Sequence, residues 1–361
     1  MFINEMKIII KVGTQSILSA DGSPIYSVLN NLVNQIIYLK NLGHQVILVS
    51  SGAVGSGRKI AKNSLGKTYG DTVGEKQLLA SIGQPELMNL YSNLFKNENI
   101  LVSQLLLTKQ DFHTRQHYLN IARLLTELLK HQNIIPIVNE NDSVAIEELM
   151  FTDNDELAGL IAAQINADYL ILLTNVDGVF TSHPNDPGAK LINRIDPNLA
   201  WPNVSAVKSK LGRGGMVSKL DTARKMAGLG INTAIANVNV ESIVLKILDR
   251  EAVGTIILAS KRKSSIKRWI AFSHRTCLPS IVINDNLIAL LRNGNRVMSI
   301  LPIGIEDFRG ECKKGDLIDI LNSNNEKIGV GIARYDFLRL KDYLRLQNKP
   351  AFIHYDHLHI L

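Results

Sequence analysis

The chain alternates short, wholly apolar runs with longer stretches whose apolar residues recur every three or four positions. The first pattern predicts buried strands, and the second predicts amphipathic helices. The strands predicted before residue 260 are Lys7–Val12, Val46–Ser50, Ile134–Val138, Asp168–Thr174 and Thr233–Ala236. Near-continuous apolar strands separated by helices indicate a largely parallel sheet that helices cover on both faces.

Helical periodicity fills most of the intervals between these strands. The helical stretches are Tyr26–Leu39, Lys76–Phe95, His113–Leu129, Leu157–Ile165 and one that opens at Ser218–Gly228. Gly43 is predicted to stop the first of these helices. Pro136 stands inside a predicted strand, which indicates either an edge strand or a locally unpaired position, because proline has no N–H to donate.

The pattern changes near residue 260, where short strand-like runs with frequent glycines begin. These runs are Ser280–Ile283, Val297–Leu301, Leu317–Leu321 and Ile328–Ala333. They predict a small β-rich module. A chain of 361 residues is long enough for about two domains. We therefore expect a first domain over 1–260, a basic linker over 261–276 and a second domain over 277–361.

The net charge of +7 lies entirely in residues 261–361, which comprise the predicted linker and second domain. Residues 261–361 hold 17 of the 40 Lys and Arg residues but only 10 of the 33 Asp and Glu residues, so 17 − 10 accounts for all of it. A basic segment can contact nucleic acid. Five of these basic residues lie together in 261–268, within the linker, which is typical of a solvated charge run. Aromatic residues, which RNA readers use for stacking, make up only 6% of the chain, so RNA binding is not favoured.

Composition indicates an ordinary globular protein of a reducing compartment. No apolar run reaches the roughly 18 residues of a membrane span, and the N-terminus has no signal-peptide pattern. Cys277 and Cys312 cannot form a disulfide framework and have no metal-type spacing. We therefore expect a cytoplasmic protein that does not engage a membrane.

The most informative stretch is 134–156. An apolar strand ends there in Asn139–Asp142, and a second polar group, Asp153–Asp155, precedes the next helix. Ligands of open α/β sheets bind beyond the carboxyl ends of the strands. Alternating amides and carboxylates suit a ligand that has both an ammonium and a carboxylate. The stretch therefore predicts a site for a free amino acid.

Four other motifs lie at predicted strand ends or helix starts. Lys11–Thr14 places a lysine and a glycine where they can reach a phosphate, and Ser50–Gly57 is predicted to be a small-residue loop open to an anion. Gly212–Lys219 resembles a phosphate cradle at a helix N-terminus, although it is not a Walker A loop. Thr174–Gly178 fits the floor of a nucleotide pocket. Each of the four, taken alone, also fits an ordinary turn.

Taken together, the motifs favour phosphoryl transfer. They place two lysines, two glycine-rich segments and an amide–carboxylate group at successive strand ends of one sheet. The sequence shows no Ser-His-Asp or Cys-His arrangement and no zinc spacing, and the cluster His354, His357 and His359 is more typical of structure than of metal binding. Phosphoryl transfer depends on positioning and charge neutralisation more than on covalent chemistry.

Several motifs also carry a resemblance to a known family. KVGT, SSGAVGSG, KQLLASIGQPELM, NEND, TDNDE, LLTNVDGVF and GGMVSK follow one another across residues 6–255. In this order and spacing they resemble the glutamate 5-kinases of the amino acid kinase family. LPIGI, FRGE and GD at 301–316, with the closing IHYDHL, resemble a PUA domain. The resemblance implies a three-layer αβα sandwich with a mainly parallel sheet, followed by a small C-terminal β-rich PUA-like barrel.

The resemblance also implies a reaction and its partners. Members of this family phosphorylate the γ-carboxylate of L-glutamate with ATP, and Mg²⁺ bridges the phosphates; this is the first step of proline biosynthesis. The implied partners beyond L-glutamate are proline as a feedback inhibitor, glutamate-5-semialdehyde dehydrogenase as the next enzyme, and further copies of the chain in a dimer or tetramer.

By the same resemblance, individual residues receive roles. Lys11 and Lys219 would contact the transferring phosphoryl group, and Asp155 would hold both lysines. The residues implied to bind glutamate are Ser51, Gly52, Asp142 and Asn154, with Asp142 near the ammonium. Those implied to bind ATP are Lys11, Gly13, Thr174, Asn175, Arg213, Gly214, Gly215, Met216, Val217, Ser218 and Lys219. The chain departs from the family at Asn175, where Asp is common, and at Arg213, where a small or hydroxyl residue is usual.

Two alternatives remain open from the sequence. The first is another kinase of this fold, such as an N-acetylglutamate or isopentenyl phosphate kinase. An acidic group near the substrate ammonium argues against both, because neither substrate has a free ammonium. The second is an RNA-binding or RNA-modification protein that uses the PUA-like domain.

Overall fold

The computed structural model describes residues 5–112, 115–145, 151, 153–197, 199, 201–202, 215–259, 279–292, 298–344 and 346–360. The chain folds as two compact units, Met1–Arg262 and Lys263–Leu361. Each unit has its own sheet.

The first unit is built on an eight-stranded sheet. Its strands are β1 (Lys7–Val12), β2 (Gln45–Ser50), β3 (Leu101–Leu107), β4 (Ile134–Glu140), β5 (Tyr169–Thr174), β6 (Arg194–Ile195), β7 (Asn232–Asn237) and β8 (Thr255–Ile257). They lie in the order β3-β4-β2-β1-β5-β7-β8-β6. All neighbouring pairs are parallel except β7 and β8. The prediction of a mainly parallel sheet is confirmed.

Helices cover both faces of this sheet. They are α1 (Thr14–Ile17), α2 (Tyr26–Asn41), α3 (Ala53–Leu65), α4 (Val73–Lys96), α5 (Arg115–Leu129), α6 (Asn154–Ile165), α7 (Met216–Leu229) and α8 (Ile243–Leu248). Ile8 and Ile10 of β1 share a core cluster with residues of α2, α4 and α8. Ile9 points to the opposite face, because side chains alternate along a strand, and α6 contacts β1 there. The wholly apolar strands are therefore buried on both sides.

Two elements differ from the sequence pattern for identifiable reasons. Helix α4 begins at Val73, three residues before the predicted start, because Thr72 and Glu75 form a reciprocal capping box. Strand β3 was not predicted. It is an edge strand whose Leu101 is exposed and whose centre holds Ser103 and Gln104, so its apolar run is interrupted.

Pro136 does not lie on an edge strand. Strand β4 stands between β3 and β2, so the edge-strand alternative is wrong. Pro136 is in register with Ser103 of β3, whereas pairing with β2 runs only from Ile137. The proline therefore occupies a position that is unpaired on one side, where its missing N–H costs no ladder hydrogen bond.

The glycine-rich segment 50–57 forms a tight strand-to-helix turn rather than a small-residue loop over its whole length. Only Ser51 and Gly52 connect β2 to α3, and Gly57 lies inside the helix. A Cβ added to Gly57 would lie 1.9 Å from the Leu79 carbonyl oxygen, and one added to Gly83 of α4 would lie 1.9 Å from the Ala53 carbonyl oxygen. These glycines therefore allow the backbones of α3 and α4 to touch.

The second unit is β-rich, as predicted. Its strands are β9 (Ser280–Ile283), β10 (Ile305–Arg309), β11 (Leu317–Leu321), β12 (Lys327–Ala333) and β13 (Ile353–Ile360), with helices α9 (Asp285–Arg292) and α10 (Phe337–Tyr343). The strands lie in the order β10-β9-β11-β12-β13. The strand predicted over 297–301 is wrong in its described part, where Ile300 makes only an isolated bridge to Ile353. The basic linker over 261–276 and Cys277 lie outside the described residues, and Cys312 is a buried free thiol.

The described helices include none with the length and apolarity that crossing a membrane requires.

The contact between α3 and α4 predicts a stability difference between two glycines of one helix. Gly83→Ala should lower the free energy of unfolding by about 1–3 kcal/mol, because the new methyl group forces two backbones apart. Gly74→Ala is the control, since a Cβ at Gly74 meets nothing within 4 Å. Urea denaturation measures both variants. Equal stability of the two would contradict backbone contact between these helices.

Candidate active site

One edge of the large sheet collects the polar residues that follow its strands. Strands β4, β2, β1 and β5 are adjacent and parallel, so their carboxyl ends lie side by side. One polar or glycine residue directly follows each of three strands: Gly13 follows β1, Ser51 follows β2 and Asn175 follows β5. Asn139 lies at the end of β4. Helix α6 contacts β1 and α7, which brings the first turns of both helices to the same edge.

The centre of this edge is a buried carboxylate held between two ammonium groups. Lys11 Nζ lies 2.6 Å from Asp155 Oδ1, and Lys219 Nζ lies 2.8 Å from Asp155 Oδ2. Asp155 is 0% exposed, Lys11 5% and Lys219 8%. We call these three residues the charge cluster. The predicted grouping of the two lysines around one aspartate is present in the geometry.

Local structure explains why the three side chains meet. Lys11 follows Ile9 by two residues on β1, so its side chain projects toward α6 rather than toward α2. Asp155 lies in the first turn of α6, where a negative charge is favoured by the helix dipole. Lys219 lies in the first turn of α7, which Gly215 precedes as the N-cap residue.

The charge cluster holds Asp155 in its ionised form. Burial acts to raise the pKa of this carboxyl, but the ammonium groups of Lys11 and Lys219 outweigh burial and lower the pKa below its ordinary value. Counted by formal charge, the two lysines and the one aspartate of the charge cluster sum to +1. Such a site favours an anionic ligand.

Asp153 has a structural role in the same turn. Its Oδ1 accepts hydrogen bonds from the backbone N–H groups of Asp155 at 2.8 Å and Glu156 at 3.1 Å, so it caps α6. Burial raises the pKa of Asp153, and the negative charge of Asp155 acts in the same direction. Asp153 therefore fixes the start of the helix that carries Asp155.

Beside the charge cluster, polar side chains form a chain of hydrogen bonds that we call the amide network. Asn154 Nδ2 donates to Ser51 Oγ at 2.7 Å and to Asn139 Oδ1 at 2.9 Å. Asn139 Nδ2 in turn donates to Gln84 Oε1 at 2.9 Å. The amide network thus joins β4, α6 and the β2–α3 connection to α4. It holds Asn154, predicted to bind substrate, next to Asp155.

The other residues predicted to bind substrate, Asp142 and Gly52, lie at this edge of the sheet, as does Gly13, which is predicted to bind nucleotide. Asp142 lies in the turn after β4, half-buried, three residues beyond Asn139. Gly52 has a φ of 121°, a conformation that favours glycine, and it connects Ser51 to α3. Gly13 precedes α1, and a Cβ built on it would lie 3.8 Å from Lys11 Nζ. The glycine therefore lies against the ammonium of the charge cluster.

The residues predicted to bind nucleotide divide into described and undescribed positions. Thr174 ends β5, and Gly215, Met216, Val217 and Ser218 lead into Lys219 at the start of α7. Arg213 and Gly214 lie outside the described residues. Asn175 accepts a hydrogen bond from Ser16 Oγ at 2.9 Å and donates Nδ2 to the Gln15 carbonyl at 3.0 Å.

The two hydrogen bonds of Asn175 account for the amide at this position. An aspartate could accept from Ser16, but it could not donate to the Gln15 carbonyl. Asn175 therefore ties α1, which follows Gly13, to the end of β5. The departure from the family pattern brings a structural link between two segments predicted to hold the nucleotide.

Sequence patterns missed one member of the amide network, Gln84, and gave another, Asn139, no individual role. Asn139 belongs to the NEND motif at a strand end, so its position was a usable signal, although no role was assigned to it. Gln84 lies inside the KQLLASIGQPELM motif on α4, and helical periodicity gives no indication that its side chain reaches a strand end.

The chain is similar to known proteins over nearly its whole length. The profile of the amino acid kinase family matches residues 6–237, and that of the PUA domain matches residues 279–347. A glutamate 5-kinase of Chlorobaculum tepidum is 42% identical over 357 residues, which cover 98% of this chain and 97% of that relative. A glutamate 5-kinase of Bacteroides thetaiotaomicron is 38% identical, with 98% of each chain covered. One of Nitrosomonas eutropha is 38% identical, covering 91% of this chain and 87% of the relative.

The charge cluster predicts a stability loss with a defined pH dependence. Asp155→Asn should lower the free energy of unfolding by about 3–5 kcal/mol at pH 7, because it leaves two buried ammonium groups without a counter-charge. When the pKa of a carboxyl group is lower in the folded state than in the unfolded state, the group stabilises the fold at pH values above its unfolded-state pKa, which is about 3.9 for Asp. The difference between wild type and variant should therefore be constant above about pH 5 and shrink as the pH falls below that value.

Urea denaturation at several pH values between 3 and 8 measures this difference. Asp71→Asn is the control, because Asp71 pairs with Arg58 at the surface and its side chain is 77% exposed. The control should change stability little at any pH. A difference for Asp155→Asn that stays constant down to pH 3 would show that the carboxylate is not stabilised by the two lysines.

Proposed function

The chain belongs to the glutamate 5-kinases of the amino acid kinase family, and on that premise we propose how its site transfers a phosphoryl group. The γ-phosphoryl group of ATP passes to the γ-carboxylate of L-glutamate, giving ADP and L-glutamyl 5-phosphate. The observation that carries this proposal is the charge cluster, in which Asp155 holds the ammonium groups of Lys11 and Lys219 at 2.6 and 2.8 Å.

The reaction suits a site that lacks a dedicated base. A γ-carboxylate has a pKa near 4.3 in the free amino acid side chain, so it is already ionised and nucleophilic at neutral pH. The difficulty is electrostatic, because a carboxylate must approach a negatively charged triphosphate. Groups that offset this repulsion, and that are already positioned before the reaction, lower the barrier.

In the proposed mechanism, the two lysines supply this positive charge. One side of each ammonium faces Asp155, which fixes its place, and the remaining N–H groups would donate to phosphoryl oxygens. A lysine ammonium has three donors, so pairing with Asp155 does not exhaust it. Lys11 and Lys219 come from different elements, β1 and α7, and approach the transferring group from two directions. Asp155 acts as a positioning residue.

Glutamate is proposed to bind beside the charge cluster, at the amide network. Ser51, Gly52 and Asn154 surround one side of this position, and Asp142 provides a carboxylate for the substrate ammonium. In the proposed binding mode, the γ-carboxylate of glutamate lies toward Lys11 and Lys219. Selection of glutamate over N-acetylglutamate follows, because an acetylated nitrogen carries no positive charge for Asp142 to attract.

ATP is proposed to bind along Gly13, Thr174, Asn175 and the segment 213–219. Mg²⁺ fits this site as an ion held by the nucleotide phosphates, since it commonly binds through substrate phosphates and a few carboxylates or waters. In the described part of the chain, no group of three or more His, Cys, Asp or Glu side chains could cage a metal. When bound, Mg²⁺ would offset phosphate charge.

No observation favours either alternative function. The relatives compared above are named glutamate 5-kinases, and none is named for N-acetylglutamate, isopentenyl phosphate or RNA. Feedback inhibition by proline, assembly into a dimer or tetramer, hand-over to glutamate-5-semialdehyde dehydrogenase and a cytoplasmic location stay predictions from the family resemblance.

Trapping of the product tests the proposed function. The full-length protein is incubated with ATP, Mg²⁺ and L-glutamate, and hydroxylamine converts any acyl phosphate into a hydroxamate, which is measured as its coloured complex with ferric ion. We expect glutamyl hydroxamate to form, with turnover of N-acetylglutamate at least a hundredfold lower, because loss of a charged contact in a specific site has effects of this order. Absence of hydroxamate, or equal turnover of the two substrates, would exclude the proposed reaction.

Lys219→Ala should lower kcat by roughly a hundredfold or more, because removal of one preorganised charge at the transition state has effects of this order. The KM values for glutamate and ATP should change much less, since the contact strengthens mainly in the transition state. Lys225→Ala, on the exposed side of the same helix, is the control and should retain wild-type kinetics. A rise in KM with unchanged kcat would assign Lys219 to ground-state binding instead.

A further inference from the structure

Gln84 is a buried polar residue for which the proposed mechanism has no use. It lies in the middle of α4, a helix that packs against α3 and α2 rather than starting at a strand end. Its side chain is 7% exposed, yet its Oε1 accepts a hydrogen bond from Asn139 Nδ2 at 2.9 Å. A buried glutamine that reaches the end of a neighbouring strand requires a reason, because burial of an amide is unfavourable unless it is hydrogen-bonded.

One hydrogen bond to the amide network has a donor that is certain. The oxygen and nitrogen of an asparagine or glutamine amide are normally assigned from their partners. The backbone N–H of Glu140 can only donate, and it lies 2.9 Å from Asn139 Oδ1. Asn139 must therefore donate through Nδ2 to Gln84, and Gln84 must accept through Oε1.

The same hydrogen bond determines the orientation of Asn154. Because Asn139 presents its oxygen on this side, Asn154 must donate through Nδ2, which also reaches Ser51 Oγ. Asn154 Oδ1 then points away from both partners. This oxygen is buried and has no hydrogen-bond partner among the described residues. It is an acceptor held in a fixed direction beside the charge cluster.

A second contact shows that the same face of α4 supports this region. Tyr91 follows Gln84 by seven residues, which is two helical turns, so both side chains lie on one face. The Tyr91 hydroxyl lies 2.7 Å from Ser50 Oγ, and Ser50 Oγ also donates to the Ser51 carbonyl at 3.0 Å. One face of α4 thus carries Gln84, at one end of the amide network, and contacts Ser50, the chain neighbour of Ser51 at the other end.

The position of Gln84 along α4 is fixed by close packing. Gly83, its neighbour in the chain, lies against the Ala53 backbone, where even a methyl group would collide at 1.9 Å. The helix therefore cannot slide toward or away from α3 without loss of this contact. Gln84 is held at one height relative to the strand ends.

We propose that Gln84 is a positioning residue for the amino-acid substrate, on the premise that the proposed function holds. The Glu140 N–H sets the orientation of Asn139. By accepting from Asn139 Nδ2, Gln84 adds a second hydrogen bond that holds Asn139 in this orientation, and through Asn139 it supports Asn154 with Oδ1 as the group offered to the substrate. An oxygen acceptor attracts an ammonium, whereas the flipped amide would present N–H donors and repel it. Gln84 acts through two other residues and makes no contact with the reacting atoms.

Replacement of Gln84 by methionine tests this role, because Gln84→Met keeps the side-chain length and removes the acceptor. The KM for glutamate should rise roughly three- to tenfold, the range expected for one buried hydrogen bond. The KM for ATP and kcat should stay within about twofold of wild type. A thermal-shift titration with glutamate alone should show the same weakening, since stabilisation by a ligand depends on its affinity.

Two further variants separate positioning from general damage to the core. Gln35→Met is the matched control: Gln35 is 4% exposed, and its Oε1 accepts the Val244 N–H at 2.7 Å on the side of α8. This variant should lose thermal stability while its KM for glutamate stays unchanged. Gln84→Glu keeps an oxygen acceptor for Asn139, and its KM should lie between those of wild type and Gln84→Met.

The results that would overturn the role of Gln84 differ from the result that would overturn the proposed reaction. If wild type forms no glutamyl hydroxamate, the proposed reaction is wrong irrespective of Gln84. If wild type is active, an unchanged glutamate KM in Gln84→Met overturns the positioning role. A rise of the same size in Gln35→Met, or a fall in kcat without a change in KM, overturns it as well.

Discussion

The first unit depends on one electrostatic constraint, the burial of a carboxylate between two ammonium groups. Asp155 has no exposure, and its desolvation would be costly if either lysine were displaced. Lys11 comes from β1, Asp155 from α6 and Lys219 from α7, so the ion pairs hold three elements in register. The same constraint leaves the cluster with a net positive charge. Stability of the fold and affinity for an anion therefore come from one set of contacts.

Parallel topology makes this constraint possible. Four adjacent parallel strands, β4, β2, β1 and β5, end at one edge, and the helix that follows each strand begins there or nearby. Strand residues alternate between faces, so Lys11 reaches α6 only because Ile9 and Lys11 share a face. Close contact of α3 and α4 through Gly57 and Gly83 adds a second fixed distance, and it sets the place of Gln84. Backbone geometry thus determines which side chains can meet.

The sequence predicts the parts of this arrangement that depend on local pattern. Apolar runs predicted strands β1, β4 and β5. Their polar ends, and the polar start of the helix after β4, predicted site residues at Lys11, Asn139–Asp142 and Asp153–Asp155. Composition alone could not separate a glycine loop from glycines buried between two helices, so the segment around Gly57 was misread. Edge strand β3 was not predicted, because an edge position tolerates polar residues and these residues interrupt the apolar run.

The roles of individual residues required contacts between distant parts of the chain. Gln84 and Asn139 are 55 positions apart, and no periodicity relates them. Resemblance to a family suggested Asp155 and the two lysines, but the hydrogen-bond directions come from geometry. Because the Glu140 N–H can only donate, it orients Asn139, and the orientation passes on to Gln84 and Asn154. In the proposed mechanism, amides that are held in direction assist the Asp142 carboxylate in recognising an ammonium and add no further charge beside the lysines. The proposed site thus separates two tasks: the charge cluster would neutralise the transferring group, and the amide network would help to select and orient the acceptor.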